Sequence, residues 1–405
     1  MPMCSGLAAL GQLLLGVAIF ASVLCYVVAY LEARRFLGRR TRATMPGNPV
    51  GPLPPVTLLK PLNGADADLH ANLASFCAQA YPTFQIVFGV ADSTDPAVGV
   101  VRRLQREFPA VDIELVIDAR TYGPNLKVSN LHNIYARAKH DIVLVADSDI
   151  RVAPHYLRRI AAEFDDPGVG LTTCLYRGVV RGGLPAVVEA LCVNTDFVPM
   201  VMLARVVERP SYAFGSTIAM RRAVLDASGG FLPLVNYLAD DYHLGNRIVT
   251  QGHRLTVSAM LVDTVMNTET WRAVLVHQVR WARTQRVCRP LGYFGSVLTH
   301  GTLWASVNLV CHRFSAGALA LALLIFALRT LTAKGICQRY VGVNLRAEET
   351  LLVLIKDLFT SAIWLSAFLG STVRWGGRRL RIMKDGRMVE VAPLVTAEAR
   401  VRPQP

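Results

Sequence analysis

The chain has 405 residues, 52% of them hydrophobic and 18% charged, and its 43 basic and 29 acidic residues give a net charge of +14. A mean hydropathy of +0.35 exceeds that of an ordinary soluble protein and directs attention to membrane segments. The positive charge could serve nucleic acid or an anionic membrane, but its placement excludes the first. Arginines cluster just after the first apolar segment (Arg34, Arg35, Arg39, Arg40, Arg42) and just after the last (Arg374, Arg378, Arg379, Arg381, with Lys384), and no nucleic-acid-binding module accompanies them.

Gly6 to Leu31 carries no charge and is long enough to cross a bilayer. No Lys or Arg precedes it and arginines come soon after, the reverse of a secretory signal. Residues 1–31 are therefore expected to be an anchor with its N-terminus outside, and the chain beyond Leu31 to enter the cytoplasm. The Pro- and Gly-rich stretch Thr44 to Pro55 makes 32–55 a linker. The eight cysteines include no C-x-x-C pair, and Cys25, Cys77 and Cys174 lie in apolar runs. They read as small buried residues in a reducing compartment, neither a disulfide framework nor a zinc site.

From Val56 the pattern alternates. Val56–Leu59, Phe84–Val90 and Val111–Ile117 read as strands, separated by helices over Asp68–Ala78 and Pro96–Phe108; a helix over Asn125–Ala138 comes after them. This spacing predicts βαβ units and a mostly parallel sheet, an α/β fold. Gly123 to Lys127 opens the last of these helices. Its free backbone N–H groups and Lys127 could receive an anion, although a turn with a solvated lysine would look the same.

The central strand comes next. Ile142, Val143, Leu144 and Val145 form an apolar, largely β-branched run suited to burial on both faces. It ends in Asp147-Ser148-Asp149. Ligands of open α/β sheets bind at the carboxyl ends of strands, so this pair stands where a ligand would lie. Two carboxylates there are hard oxygen ligands, suited to Mg²⁺ or Mn²⁺ shared with a diphosphate. Asp66-Ala67-Asp68 has the same spacing but precedes Leu69, Leu73, Phe76 and Cys77 at helical intervals, so it reads as an acidic first turn.

Val169–Tyr176 and Phe214–Met220 read as further strands, separated by an apolar helix over Pro185–Val206. Asp240-Asp241 begins a helix running to about Thr250; such acids either cap the helix or place one carboxylate in a cleft as a general base. The helix from Trp271 to Val287 carries His277, Gln278, Arg280 and Trp281. Arg beside Trp joins a phosphate-binding fork to a flat stacking face, and an interfacial amphipathic helix would show the same residues. Phe314–Leu331 and Leu351–Val373 approach spanning length, whereas Gly295–Cys311 is shorter and is stopped by His312-Arg313. The expected arrangement is an interfacial or re-entrant 295–311 and then a spanning hairpin, a membrane region over 295–373, and a basic cytoplasmic tail over 374–405.

Taken together, Asp92, Asp147-Ser148-Asp149, Asp240-Asp241 and Arg280-Trp281 resemble the motif set of the ceramide glucosyltransferases and, more closely, of the bacterial hopanoid-biosynthesis glycosyltransferases. The phrases P-P-V-T-L-L-K-P-L (54–62), Q-I-V-F-G-V-A-D (85–92), N-L-K-V-S-N-L (125–131), A-D-S-D-I-R-V (146–152) and R-W-A-R-T (280–284) carry the likeness. It implies a GT-A (Rossmann-like) domain over 56–294, and an integral protein of the bacterial inner membrane with that domain in the cytoplasm. The implied activity is inverting, metal-dependent transfer of glucose or N-acetylglucosamine from a UDP-sugar to a membrane lipid, a hopanoid polyol such as bacteriohopanetetrol or, alternatively, ceramide. By resemblance Asp92, Asn125, Lys127 and Asp147 serve the nucleotide-sugar, Asp149 with Asp147 the Mg²⁺ or Mn²⁺, and Asp241 is the base. His277, Gln278, Arg280 and Trp281 serve acceptor and diphosphate. The family's (Gln/Arg)-x-x-Arg-Trp motif begins here with His277, Gln278 falling one place late. A processive polysaccharide synthase usually needs more spans, and a transporter would carry charge in mid-helix.

Overall fold

The structure is a computed structural model that describes residues 2–38 and 53–391. Helix α1 (Pro2–Phe36) is followed by β1 (Val56–Pro61), α2 (Leu69–Cys77), β2 (Phe84–Val90), α3 (Pro96–Glu107), β3 (Asp112–Ile117), α4 (Leu126–Tyr135) and β4 (Ile142–Val145). Each expected strand and helix of this half is present. The chain continues through β5 (Ile150–Arg151), α5 (Tyr156–Ala162), β6 (Val169–Val180), α6 (Leu184–Cys192), a π-helical turn at Val193–Phe197, and α7 (Val198–Val207). Then come β7 (Ile218–Arg221), α8 (Arg222–Ala227), α9 (Asp240–Thr250) and β8 (Arg254–Met266).

These strands form one sheet in the order β3-β2-β1-β4-β7-β6-β8-β5. The first four are parallel, β7 runs antiparallel to both neighbours, β6 and β8 are parallel, and β5 is antiparallel to β8. Six of the eight strands thus run the same way, so the sheet is mostly parallel, as expected, and is mixed only through the reversed β7 and β5. All four residues of β4 are buried between β1 and β7. Apolar side chains fill both faces: Leu59, Val87 and Val143 pack toward α4 and α9, while Leu58, Ile86 and Leu144 pack toward α2, α3 and α5. Strand β8 has no counterpart among the expected strands. Its apolar residues are interrupted by Thr256, Ser258, Asp263 and Thr264, and its partner β6 is far away in sequence.

The remaining elements are α10 (Trp271–Cys288), α11 (Pro290–Gly295), α12 (Gly301–Cys311), α13 (Ala316–Ile336) and α14 (Ala347–Ser366), then an antiparallel sheet of β9 (Thr372–Trp375), β10 (Arg378–Ile382) and β11 (Met388–Glu390). Two boundaries are thereby corrected. The last apolar helix ends before Val373, and residues 372–390, expected as helix end and tail, are a folded sheet whose alternation of Arg with Val, Leu and Ile has strand period. Of the expected linker, 32–36 continues α1, and 39–52 lies outside the described residues, as does 392–405 of the expected tail.

Four helices are long and apolar enough to cross a membrane: 9–36, 184–207, 316–341 and 347–369. The second is largely buried inside the protein. Side-chain contacts fix the directions of the others. Ile19 clusters with Ala322 and Ile325, the Arg329 guanidinium lies 5.4 Å from the Tyr26 ring, and Arg339 donates to the Tyr30 hydroxyl at 2.8 Å. Helix α13 therefore runs parallel to α1. Helix α12 runs the other way, since Ile19 clusters with Ala305 while the Gly301 N–H donates to the Tyr26 hydroxyl at 2.9 Å. Helices α12 and α13 thus form an antiparallel pair. Near its start, Val353 of α14 clusters with Leu191 and Cys337; near its end, Ile363 and Ala367 cluster with Ala282 and Tyr293, and Arg286 donates to the Gly370 carbonyl at 3.2 Å. Both ends of this helix, about 30 Å long, rest on elements of the α/β unit.

A buried charge network ties these helices to the sheet domain. Arg329 reaches Asp357 and Asp196, each at 2.8 Å, and Lys356 reaches the same two carboxylates at 2.7 and 2.5 Å. Thr302 donates to Asp357 at 2.6 Å. Asp196 sits on the π-turn, so two cations and two anions join α12, α13 and α14 to the segment that covers β6.

Candidate active site

The run of β4 ends by turning into β5, and this turn carries Asp147 and Asp149. The backbone holds it from two sides: Asp147 N–H donates to Gly215 carbonyl at 3.3 Å, and Val265 N–H to Asp149 carbonyl at 3.0 Å. Below it lies Lys60, the one charge in the apolar strand β1. Lys60 is fully buried, its ammonium 3.8 Å from the Phe76 ring centre and 2.7 Å from the Asp147 carbonyl oxygen. Burial pulls its pKa down to about 7 against the opposing pull of Asp147 and Asp149.

Asp241 arrives from the other half of the sheet. It lies in the first turn of α9, where one carboxylate oxygen accepts from the Tyr242 N–H at 2.7 Å and the other from the Gly215 N–H at 3.0 Å. Gly215 is the point of convergence. A Cβ there would stand 2.7 Å from Asp147 Oδ2 and 3.6 Å from Asp241 Oδ2, so only a hydrogen fits between the two carboxylates. Asp240 turns away and pairs with Lys127 at 3.3 Å; the same ammonium reaches Asp147 Oδ1 at 2.7 Å. Burial alone would lower the Lys127 pKa, but Asp147, Asp240 and Asp241 outweigh it and hold the group charged.

The carboxylates crowd one another. Burial first, then Asp147, raises the Asp149 pKa to about 6; burial first, then Asp240, raises Asp241 to about 6. Arg280 lies within electrostatic reach of these carboxylates. Burial lowers its pKa, while Asp147, Asp241, Glu189 and Tyr176 pull the other way. Tyr176 stacks on Phe197, the ring centres 4.2 Å apart.

Two expected positions are buried within the protein. Asn125 is fully buried; its Oδ1 accepts from the Val128 N–H at 3.0 Å, capping α4, and its Nδ2 donates to the Tyr237 carbonyl at 2.7 Å. With both ends of the amide engaged, it ties the start of α4 to the loop before Asp240. Gln278 lies on the packing face of α10 with Val274 and Ala282, while His277 and Trp281 share the adjoining face, their rings 4.3 Å apart. Asp92 stands exposed at the end of β2, two strands from β4, and accepts from Thr94 N–H and hydroxyl at 2.8 and 2.9 Å. The second acidic pair stays outside the site: Asp66 accepts from the Asp68 N–H at 3.1 Å, and Asp68 pairs with Arg151 at 3.2 Å.

Lys60, Tyr176, Glu189 and Gly215 are absent from the residues expected from sequence. Lys60 and Glu189 are each a charge inside an apolar element, a signal that could have found them. Glu189, from α6, is buried and hydrogen-bonds to both His277 and Thr268. Nothing local marks Gly215.

The hard-oxygen donor set at Asp147 and Asp149 fits a divalent cation. Among the described residues no group of three or more His, Cys, Asp or Glu side chains could enclose one, so the remaining ligands would have to be substrate phosphates and water, the usual habit of Mg²⁺.

The family model described as Glycosyl transferase family 21 matches residues 14–388. Ceramide glucosyltransferase 3 of Caenorhabditis elegans is 28% identical over 208 residues, which are 51% of this chain and 45% of that protein. Ceramide glucosyltransferase of Komagataella phaffii is 35% identical over 155 residues, 36% of this chain and 30% of that one. The aligned part is thus less than half the length of these relatives. Among solved structures, a mannosyltransferase from Pyrobaculum calidifontis in complex with GDP-Man and Mn²⁺ superposes with a TM-score of 0.48 at 18% identity, covering 87% of this chain and 99% of that chain. The mixed sheet with helices covering both faces is an α/β fold.

Proposed function

The chain belongs to glycosyl transferase family 21, and on that premise we propose that it moves a hexose, N-acetylglucosamine or glucose, from a UDP-sugar to a hydroxyl of a membrane lipid. The observation that carries this is the convergence of Asp241 and Asp147 on Gly215. In this reading Asp241 takes the proton of the acceptor hydroxyl as its oxygen forms a bond to the anomeric carbon and the bond to UDP breaks. One displacement inverts that carbon, so an α-linked donor gives a β-glycoside. Arg280 and Lys127 would offset charge growing on the diphosphate. Asp147 and Asp149 would hold Mg²⁺ or Mn²⁺, which when bound would neutralise the same diphosphate.

The acceptor proposed is a hopanoid polyol, on the sequence phrases at 54–62, 85–92, 125–131, 146–152 and 280–284; ceramide is the second reading, favoured by relatives that bear that name. The apolar helices support a membrane setting, with the α/β unit on the cytoplasmic face of a bacterial inner membrane and the start of α1 outside. Membranes containing the protein, supplied with UDP-glucose or UDP-N-acetylglucosamine and each lipid, are expected to yield one glycolipid by mass spectrometry. Absence of any lipid-linked hexose with either donor would refute the reading.

A second expectation concerns Glu189. Its charge-assisted bond fixes the His277 ring against Trp281. Glu189→Gln is expected to raise KM for the lipid about tenfold, the loss of one such bond, and to leave KM for the UDP-sugar unchanged. Equal rises in both constants would place Glu189 elsewhere in the mechanism.

A further inference from the structure

The small sheet β9–β11 has two unlike faces. One carries Val373, Leu380, Ile382 and Met388, buried in a cluster with Leu238. The other carries Arg374, Arg379 and Arg381, all exposed. Arg374 lies directly opposite Arg379, with Arg381 two residues further along the same face. Their neighbours on that face are Thr372 and Val389. The nearby Glu390 is in register with Leu380 and pairs with Arg378 at 3.5 Å, so it belongs to the other face. Among the described residues none of the three guanidinium groups has an ion-pair partner. Like charges opposite one another across strands are destabilising, and nothing inside the described chain offsets them here. Such a face calls for an external anion.

The neighbouring surface identifies it. Helix α14 exposes Leu351, Ile355, Leu358 and Leu365 at helical spacing, and the stripe ends at Leu369, which is 81% exposed. At about 3.3 Å per residue, Arg374 lies within roughly 17 Å of Leu369. An apolar stripe running into an unpaired basic face is the pattern of a surface lying on an anionic bilayer. A nucleic acid would have no use for the apolar part.

The same sheet holds the site loop. Met388 N–H donates to the Asn236 carbonyl at 2.7 Å, Tyr237 is bridged to Arg387, and the Tyr237 ring lies 4.0 Å from that of His243. His243 in turn fills the space over Gly386, where a Cβ would come within 2.8 Å of its ring. Asp240 and Asp241 lie between Tyr237 and His243.

We propose that the Arg374–Arg379–Arg381 face binds anionic phospholipid headgroups and that this contact steadies the loop carrying Asp241. The effect on turnover rests on the proposed glycosyl transfer; the binding does not. The test uses the full chain in vesicles of phosphatidylcholine alone or with about a third phosphatidylglycerol, a charge density at which each arginine near the surface contributes about fivefold to attraction. Backbone hydrogen exchange over 236–243 and 372–391 and lipid glycosylation are read in the same vesicles. In the wild type, phosphatidylglycerol is expected to slow exchange in both segments and raise turnover several-fold. The triple variant R374Q/R379Q/R381Q should lose both responses while keeping the phosphatidylcholine rate. Exchange in the wild type that ignores phosphatidylglycerol, or a triple variant that still responds in full, would overturn the proposal. Should no donor be turned over, the exchange data still decide it, and the failure falls on the reaction alone.

Discussion

Asp241→Asn is expected to form product at least about a hundredfold more slowly than the wild type, the low end of what a positioned general base contributes, while binding UDP-sugar nearly normally by calorimetry. The expectation rests on where two adjacent carboxylates point. Neighbours on a helix are about 100° apart, and here Asp240 is committed to Lys127 while Asp241 faces Gly215 and Asp147. Asp240→Asn should therefore cost less. The Asn substitution preserves the hydrogen bond from Gly215 but cannot take a proton. The wild-type rate should also depend on pH in one direction. With its pKa raised to about 6 by burial and Asp240, Asp241 is ionised above that pH and protonated below it. Turnover should fall as pH drops through about 6 and level off above. An active Asp241→Asn beside a dead Asp240→Asn would reverse the assignment. If both turn over normally, His277 becomes the residue to substitute.

Arg329→Met should destabilise the protein by about 3–5 kcal/mol, the usual loss when one partner of a buried ion pair is removed. Arg329 and Lys356 are 6% and 1% exposed, so neither has solvent to fall back on. Without Arg329 the carboxylates of Asp357 and Asp196 share only the Lys356 ammonium, and a net negative charge is left between the helices and the π-turn. Unfolding in mixed micelles, monitored by tryptophan fluorescence, measures the loss. The double variant R329M/D357L removes one charge of each sign and should recover most of it, since replacing a whole buried pair is often near neutral. A single variant within about 1 kcal/mol of the wild type would show that water reaches the network, as it does for exposed pairs.

Much of the α/β unit is legible from residue order. The four-residue apolar run before Asp147 could be little but a doubly covered strand, and the anchor and the amphipathic helices are marked by charge and period. Context also separates Asp147/Asp149 from Asp66/Asp68, because a buried strand precedes one pair and a helix succeeds the other. These features share a cause: each is set by residues within a few positions, through periodic burial of side chains along one element.

The features that only the tertiary structure decided depend on partners distant in the chain. Strand β8 exists because β6 pairs with it, although its own sequence alternates poorly. Asn125 is a brace because its amide meets Tyr237. Glu189 reaches His277, and Gly215 admits two carboxylates, through contacts that no local pattern encodes. The direction of α13 is hidden from the sequence for the same reason. Hydropathy gives the length of an apolar helix but not its sense, which is set by which of its side chains meet Ile19, Tyr26 and Tyr30. Period reports how much of a residue is covered, whereas its role depends on which atoms cover it, and those come from elsewhere in the chain.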